Sequence, residues 1–525
     1  MDKVVLLSNG DFRDPVGVNC WPKQVETLEA VEAAFSSMGI QTERGNPYRE
    51  EKGHGFMTTQ AEACGIMSRI DPDMPIVVVL ASWVYAHHLA AAFKLHKGPV
   101  LLLGNFDGTW PGLVALLNHS ATYNRLGVKH SKLWTDSFQK DEAFMQRLKR
   151  WAETGEITYP TDHIRKADGV KLPEAAEALG AEVAGDILKN KRIMGQMDPG
   201  CMGMLNAVLS PDKMADIGMP LELLNQSDLL AEMKLVSEKE AKAVYRWLVD
   251  AGTTFHFGKK ESEDLTRRQV LEQMKMYMAA GRIYRRYGLS AIGIPYQYGL
   301  VRMTSASDLP EGMLNNGERP DIRDPESGEI IAQGRPIVHF NEGDLGSGIP
   351  QVLMHDILQK KGMPPETTLH DVRWGDVWEG RFVWVFLISG GAPPAHFGGW
   401  QKTHVYRQPF MYFPLGGGTC TGVSKTGTVT WARFYESFGD TGMDVGTGEV
   451  VGLPDEEVKH RLRLTNEEWP VANVHIPGYG RDELMSTHRS NHITICYGDI
   501  LAELISVCRN LGLDVNICGD ARRAF

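Results

Sequence analysis

Three segments of the chain carry side chains whose types could bind a divalent metal ion. Glu342 lies in the glycine-rich stretch "VHFNEGDLGSG", Asp371 in "LHDVRW", and His492 in "THRSNHITICYGD". Two carboxylates and one imidazole, with coordination positions left open, suit a hard or borderline ion such as Mn²⁺ or Mg²⁺. A helix-like "IPQVLMHDILQKKG" and the loop "MPPETT" separate the two acids. That spacing fits strand–helix–strand and predicts both acids at the same edge of one sheet.

Simpler explanations exist for the same segments. Glu-Gly-Asp is also an ordinary polar turn, and Asp344 is expected to cap the next helix, a role worth about 1 kcal/mol at most. His488 and His492 are four positions apart, the spacing of two ligands on one helix face. A zinc protease would need Glu directly after the first His, and Arg489 is there instead. The protease interpretation is excluded, and a single ligating His492 stays open.

The elements that must position these residues begin with an α/β pattern. Continuous apolar runs predict parallel strands buried on both faces, at "VVLL" (4–7), "IVVVLA" (76–81) and "VLLLG" (100–104). Apolar residues at helical spacing predict a helix between the first two runs, with Gly39 as its C-terminal cap: Val25, Leu28, Val31, Phe35 and Met38. "YAHHLAAAFKLH" predicts a crossover helix. These patterns indicate a doubly wound α/β domain.

Two loops leave the carboxyl ends of the predicted strands, where ligands bind in open α/β sheets. "LGNFDGTWPG" (103–112) matches neither the dinucleotide fingerprint nor the P-loop. "ASWVYAHH" (81–88) leaves the neighbouring strand, so Trp83 is expected to overhang the crevice. A flat indole there suits the apolar face of a sugar, although a core position is the simpler alternative.

The remaining chain changes character towards its C-terminal end. Residues 130–175 are charged and weakly periodic, which predicts a linker or a surface excursion, and helices are expected near 228–250 and 264–287. Strands in a glycine-rich setting are predicted at "RFVWVFLIS" (381–389), "PFMYFPL" (409–415) and "TVTWARFY" (428–435). They favour an antiparallel, barrel-like body. A last helix is predicted from Ile500 to Leu511, with Asp499 as N-cap and Gly512 as its stop.

Composition excludes several classes of function. The net charge of -11 disfavours nucleic-acid and anionic-membrane partners. The seven cysteines are scattered without a CxxC pair, which argues against a disulfide framework and a zinc ribbon. The start, "MDKVVLLSNGDF", lacks the apolar length of a signal peptide, and no apolar run is long enough for a membrane span. We therefore expect a soluble, cytoplasmic protein.

Several segments resemble the L-fucose isomerases, which also act as D-arabinose isomerases. "NEGDLGSGIPQVLMHDIL", "LHDVR" and "RSNHITICYGDILAELISVCRNLGLDV" are similar, in order, to the segments that carry the family's metal-binding Glu, Asp and His. "ASWVYA", "GNFDGTWPG", "YGLSAIGIPYQYG", "FLISGG" and "YFPLGGG" are also similar in order. The likeness covers most of the chain, from about residue 76 to 518.

The resemblance implies both a fold and a site. The fold would be two doubly wound, Rossmann-like α/β domains (1–170 and 171–348) followed by a β-rich, barrel-like domain (349–525). Glu342, Asp371 and His492 would be the metal ligands, with both acids also catalytic. Trp83, Gln297, Ser389 and Arg13 would bind the sugar. The family's homohexamer implies that Trp83 reaches the site of a neighbouring subunit.

The expected function is metal-dependent aldose–ketose isomerisation of a free sugar through an enediol, with Mn²⁺, or Mg²⁺ or Co²⁺, as cofactor. L-fucose, D-arabinose or a related aldose would be the substrate. Two alternatives stay open. One is a sugar-binding or regulatory protein without turnover, and the other is a metal-dependent epimerase or aldolase that uses the same enediolate chemistry.

Overall fold

The first unit of the protein is a five-stranded parallel sheet flanked by helices. The computed structural model describes residues 1–200 and 202–524, so Cys201 lies outside it. The strand order is β2-β1-β3-β4-β5, which is doubly wound, and every residue of β3 and β4 is buried, as the apolar runs predict. The strands are β1 (Lys3–Leu7), β2 (Gln41–Arg44), β3 (Ile76–Leu80), β4 (Val100–Asn105) and β5 (Ser131–Thr135). The helices are α1 (Asp14–Ser37), α2 (Gln60–Met67), α3 (Ala86–Ala90), α4 (Gly112–Leu126) and α5 (Glu142–Thr154).

The second unit is a smaller parallel sheet with strand order β11-β10-β7-β8. It follows β6 (Ile164–Lys166) and α6 (Glu174–Asn190). Its strands are β7 (Met194–Met197), β8 (Leu221–Leu224), β10 (Ala291–Gly293) and β11 (Val338–His339), while β9 (Thr254–Phe255) pairs elsewhere, with β14. Its helices are α7 (Pro211–Asp216), α8 (Gln226–Leu235), α9 (Glu238–Asp250), α10 (Arg267–Arg286), α11 (Asp308–Leu314) and α12 (Leu345–Lys360).

The C-terminal part is a closed barrel. Strands β15, β18, β12, β13, β17 and β16 pair in that order, and pairing of β15 with β16 closes the ring, while β19 and β6 extend it. The strands are β12 (Thr367–Trp378), β13 (Arg381–Leu387), β14 (His404–Val405), β15 (Gly427–Ser437), β16 (Asp440–Val450), β17 (Val471–His475), β18 (His492–Tyr497) and β19 (Asp514–Cys518). The helices are α13 (Asp455–Leu464), α14 (Arg481–Thr487) and α15 (Leu501–Asn510).

One hydrophobic core joins the first unit to the barrel. Leu80 and Phe106, at the carboxyl ends of β3 and β4, pack in the same cluster as Trp374 and Trp384 of the barrel. The indole of Trp374 also donates a hydrogen bond of 3.0 Å to the carbonyl oxygen of Phe106. Because both partners are buried, this contact fixes the loops of the first sheet against strand β12.

The fold class is confirmed: parallel α/β sheets precede a β-rich barrel. The division at residues 170 and 348 stays a prediction. Three local predictions are wrong. The stretch 130–175 is not a linker, since it contains β5, α5 and β6, and "PFMYFPL" forms turns instead of a strand. His488 and His492 do not share a helix face, because α14 ends at Thr487 and β18 begins at His492.

The last predicted helix is confirmed as α15, with Gly512 in the left-handed conformation after it. The predicted N-cap is wrong: the N-cap is Ile500, and Asp499, one residue earlier, accepts a hydrogen bond of 3.3 Å from the backbone nitrogen of Leu501. The described cysteines are all free, and residues 1–200 and 202–524 contain no helix that is long and apolar enough to cross a bilayer.

Candidate active site

Glu342 lies on a sharp turn between β11 and α12. The turn Asn341–Gly343 follows the strand, and Glu342 adopts φ 58° and ψ 10°, the left-handed region that non-glycine residues seldom occupy. Such a conformation costs about 1–3 kcal/mol, and it persists where the surrounding structure imposes it. The turn directs a carboxyl group inwards that a continuing strand or helix would have placed elsewhere.

Asp371 and His492 face each other across neighbouring barrel strands. They are directly paired in the register of β12 with β18, and Nε2 of His492 lies 3.3 Å from Oδ1 of Asp371. The same nitrogen lies 3.6 Å from Oε2 of Glu342. The prediction of one shared sheet edge is therefore wrong, because Glu342 follows the parallel sheet and Asp371 belongs to the barrel. The three side chains nevertheless meet where the two sheets adjoin.

The carboxyl group of Glu342 is buried with little compensation. Gln297 donates a hydrogen bond of 3.2 Å to Oε1, and Oε2 has no hydrogen-bond partner among the described residues. Burial raises the pKa of Glu342 to about 8, with the nearby Asp371 adding to the rise and His492 opposing it. A carboxyl group whose pKa lies near neutrality is suited to exchanging protons with a ligand.

Asp344, two residues further on, has the opposite environment. It caps α12 as predicted, accepting a hydrogen bond of 3.3 Å from the backbone nitrogen of Ser347. Its Oδ2 also pairs with the buried Arg433 and lies 2.6 Å from Nδ1 of His492. Burial would raise the pKa of Asp344, but Arg433 and His492 together hold it below its usual range. A capping role alone is therefore a wrong interpretation of Asp344.

Asp344 also determines how His492 is presented. Burial lowers the pKa of His492, but the hydrogen bonds that its ring donates to Asp344 and Asp371 outweigh burial and raise the pKa to about 10. With Nδ1 held by Asp344, the ring directs Nε2 towards Glu342 and Asp371. This carboxylate–histidine pairing is the arrangement that orients histidine ligands in metal sites.

The remaining predicted residues line one cavity of about 210 Å³ together with Glu342 and Asp371. They come from both α/β units and the barrel: Arg13, Trp83, Gln297 and Ser389. Trp83 is nearly fully buried and lines the cavity of its own chain, and its contact with a neighbouring subunit stays a prediction. The volume is below the roughly 300–1,000 Å³ typical of pockets for drug-sized ligands, which favours a small molecule.

Sequence reasoning missed several residues of this cavity. Arg373, Trp110, Tyr412 and Trp469 also line it. Arg373 lies inside "LHDVRW" and Trp110 inside "LGNFDGTWPG", but neither motif indicates a function for them. Tyr412 was assigned to a strand that does not exist, and nothing in the sequence around Trp469 marks it. Arg13 lies over the ring of Tyr412, with 5.0 Å from Cζ to the ring centroid, and this contact joins the first unit to the loop before β15.

Comparison with known families assigns the C-terminal part. Residues 398–518 match the model of the L-fucose isomerase C-terminal domain. The chain therefore carries an L-fucose isomerase C-terminal domain. The predicted resemblance to that family, a family of sugar isomerases, is confirmed. A search of the curated proteins found no match to this chain.

The match to the L-fucose isomerase family covers only part of the site. His492 lies inside the matched range, with β15 to β18, whereas Glu342 and Asp371 precede it. The two acids are linked to the matched domain by geometry, through their contacts with Nε2 of His492. The candidate site is thus shared between the domain that matches the family model and the chain before it.

The residues present fit a divalent ion in donor type and proximity. Donor atoms of Mg²⁺ lie about 2.0–2.1 Å from the metal, so neighbouring octahedral ligands are roughly 3 Å apart. Nε2 of His492 is 3.3 Å from Oδ1 of Asp371 and 3.6 Å from Oε2 of Glu342, and both distances are close to that spacing. Oε2 of Glu342 is a buried acceptor without a donor. Within residues 1–200 and 202–524, however, no group of three or more His, Cys, Asp or Glu side chains is arranged so that it could hold a metal ion as it stands.

Proposed function

We propose that the protein is a divalent-metal-dependent aldose–ketose isomerase that acts on a free sugar through an enediol. One observation carries the proposal: Glu342 and Asp371 converge on Nε2 of His492 at the wall of a small cavity. The sugar-isomerase family of the C-terminal domain supports the same reaction class. L-fucose, D-arabinose or a related aldose is the proposed substrate, in a cytoplasmic homo-oligomer that we take to be a hexamer by family resemblance.

Glu342, Asp371 and His492 would hold the ion, with Mn²⁺ proposed and Mg²⁺ or Co²⁺ as alternatives. When bound, such an ion would act as a Lewis acid, making the C–H bond beside the sugar carbonyl more acidic and neutralising negative charge that develops on oxygen. The two carboxylates and the neutral imidazole are the donors that this chain contributes. Asp344 keeps Nδ1 of His492 occupied, which leaves Nε2 as the donor to the ion.

The carboxylates divide the proton transfers between them. The reaction moves one proton between C1 and C2 and a second between the two oxygens. Glu342 lines the cavity and its Oε2 has no hydrogen-bond partner among the described residues, so it suits the transfer between carbons. Asp371, more exposed at 17%, suits the transfer between oxygens.

The cavity walls position the sugar and exclude water. Gln297 holds Oε1 of Glu342, which orients the carboxyl group, and its own Oε1 is a buried acceptor without a partner. The indole nitrogen of Trp83 likewise has no partner among the described residues. A sugar hydroxyl can satisfy each of them, by donating to Gln297 or accepting from Trp83. Ser389 and Arg13 complete the polar lining.

The test is a screen of free aldoses with Mn²⁺, in which ketose formation is followed by NMR. We expect at least one aldose to be converted, activity to be lost on chelation, and Glu342→Gln to be inactive while remaining folded. In D₂O, deuterium should enter at C1 or C2. Full activity in protein shown by elemental analysis to be metal-free would contradict the mechanism. An epimeric aldose as the product would favour the epimerase alternative, and binding without any product would favour the sugar-binding one.

A further inference from the structure

Arg373 lies in the cavity at an irregularity of strand β12. The register with β13 shifts between Val372 and Trp374, so Arg373 has no cross-strand partner. Asp371 and Arg373 are two positions apart on one face of the strand and both line the cavity, while Val372 and Trp374 on the other face pack into the core shared with the first unit.

The guanidinium of Arg373 is buried and incompletely paired. Its residue is 5% exposed, and Nη1 has no hydrogen-bond partner among the described residues. The other arginine of the cavity is different. Arg13 binds Asp11 through Nε at 2.9 Å and Nη2 at 2.5 Å. A buried charge without a partner is costly, so an unpaired guanidinium in a cavity indicates a partner that arrives with the ligand.

The acids near Arg373 are engaged elsewhere. Asp107 contributes to its electrostatic environment, but Asp107 pairs with Lys23 at 2.7 Å. Asp371 is the other nearby carboxylate, and it lies against Nε2 of His492. This step rests on the proposed function, in which Asp371 becomes a metal ligand.

Other charged groups around the cavity have partners of opposite charge, whereas Arg373 has none among the described residues. A divalent ion is neutralised by two carboxylates, Glu342 and Asp371, with a neutral imidazole as the third ligand. Asp344 is balanced by Arg433, and Asp11 by Arg13. Arg373, by contrast, has no ion pair among the described residues, so its positive charge is unbalanced by direct contact. Arginine binds planar and tetrahedral oxyanions through paired N–H groups, which a neutral hydroxyl cannot match in charge.

We infer that Arg373 recognises an anionic group on the substrate, so the substrate is an aldose with a carboxylate, phosphate or sulfonate on a carbon other than the two that react. Its hydroxyls and carbonyl end face Glu342 and Asp371, and its oxyanion pairs with the guanidinium. Binding places one negative charge beside the unbalanced positive charge of Arg373. The anion is thus a specificity element and takes no part in proton transfer.

The experiment compares neutral and anionic aldoses under the same conditions. Glucose, galactose and mannose are each assayed with Mn²⁺ beside their uronates, 6-phosphates and 6-deoxy-6-sulfonates, with L-fucose and D-arabinose as further neutral sugars. Ketose formation is read by NMR. We expect at least one anionic sugar to exceed its neutral counterpart by about 10–100-fold in kcat/KM, the range expected of a charge-assisted hydrogen bond. The three anions distinguish which oxyanion is preferred.

Variants of Arg373 attribute the preference to this residue. Arg373→Met should lower kcat/KM for the anionic sugar more than for its neutral counterpart, so that the advantage of the anionic sugar is lost, while Arg373→Lys should keep part of that advantage. Arg381→Met, at an exposed position in the paired strand β13, is the matched control and should change neither.

Two results would overturn the inference. One is a wild-type enzyme that converts neutral sugars as well as or better than all their anionic counterparts. The other is an equal loss for neutral and anionic sugars in Arg373→Met, which would place the guanidinium at the reacting carbons. If no sugar is converted, the proposed isomerase function fails, and calorimetry then decides on the anion. Mn²⁺-loaded protein should bind an anionic sugar, with that binding lost in Arg373→Met, and equal binding by both proteins would contradict the inference.

Discussion

Glu342 and Asp344 are two carboxyl groups of one turn with opposite environments. Both are buried, at 5% and 0% exposure. Asp344 contacts Arg433, His492 and a helix N-terminus. Glu342 accepts one hydrogen bond, from the amide of Gln297, and its Oε2 has no hydrogen-bond partner among the described residues. Burial is common to both, so the difference in their pKa values comes from their partners. One carboxylate is thereby fixed as a support and the other left available for chemistry.

The largest effect is expected on turnover. Glu342→Gln and Asp371→Asn preserve shape but remove the charge that holds metal and the basicity that moves protons, so we expect kcat to fall by at least about 10²–10⁴-fold. Asp376→Asn, at an exposed position of the same strand as Asp371, is the control and should keep activity. Steady-state kinetics with saturating Mn²⁺, beside a melting curve for each variant, makes the measurement. A Glu342→Gln enzyme with near wild-type activity would contradict the different roles assigned to Glu342 and Asp344.

The next effect concerns stability at Asp344. Asp344→Asn leaves Arg433 as a buried charge without its partner, which costs about 3–5 kcal/mol in the free energy of unfolding. It should also weaken Mn²⁺ affinity by about 10–100-fold, since His492 loses the group that orients it. Denaturant unfolding and metal titration are the two measurements.

A double variant provides the control. Arg433→Met combined with Asp344→Asn should recover part of the lost stability but none of the metal affinity, because only the charge imbalance is repaired. A single Asp344→Asn variant as stable as wild type, with unchanged metal affinity, would return Asp344 to a simple cap.

The third prediction concerns how the stability of the protein depends on pH through Glu342. In metal-free protein, Glu342 has a pKa of about 8 against an ordinary 4.5, so the native state holds a proton that the unfolded state has lost between these values. Stability therefore falls as pH rises through this window. Glu342→Gln removes that dependence, and the variant should gain stability relative to wild type between pH 5 and pH 8. Melting temperatures in chelator across the window check this, and a constant difference would contradict the raised pKa.

The smallest effect is expected at Gln297. Gln297→Ala removes one neutral hydrogen bond to Glu342, which is worth about 0.5–1.5 kcal/mol, so kcat/KM should fall by about 2–10-fold. Gln297→Glu is the sharper test, because it places a second buried carboxylate beside the first and should weaken activity further. Kinetics at several pH values would detect both, and an unchanged Gln297→Glu enzyme would mean that the contact has no function.

The sequence predicts the residue types and local elements of this site better than their arrangement in space. Continuous apolar runs predict β3 and β4, and apolar residues at helical spacing followed by Gly39 predict the second half of α1, which begins earlier, at Asp14. The prediction of a strand at "PFMYFPL" is wrong. Its aromatic composition favours a strand, but its conformation is set by contacts with distant segments, such as that of Tyr412 with Arg13. Long-range placement of this kind is absent from local patterns.

The ligand residues show the same limit. Their types were readable, but the meeting of Glu342 from a parallel sheet with Asp371 from a barrel depends on how two sheets adjoin. The support role of Asp344 could not be read at all, because Arg433 is 89 positions away and His492 148.

The most direct test of the central claim is an anomalous difference map from crystals of the protein grown with Mn²⁺. The account predicts one strong peak in the cavity, within bonding distance of carboxylate oxygens of Glu342 and Asp371 and of Nε2 of His492. Asp344 should remain on Nδ1 of His492 and off the metal. A peak bound by Asp344, or a cavity without manganese at concentrations that support activity, would contradict it.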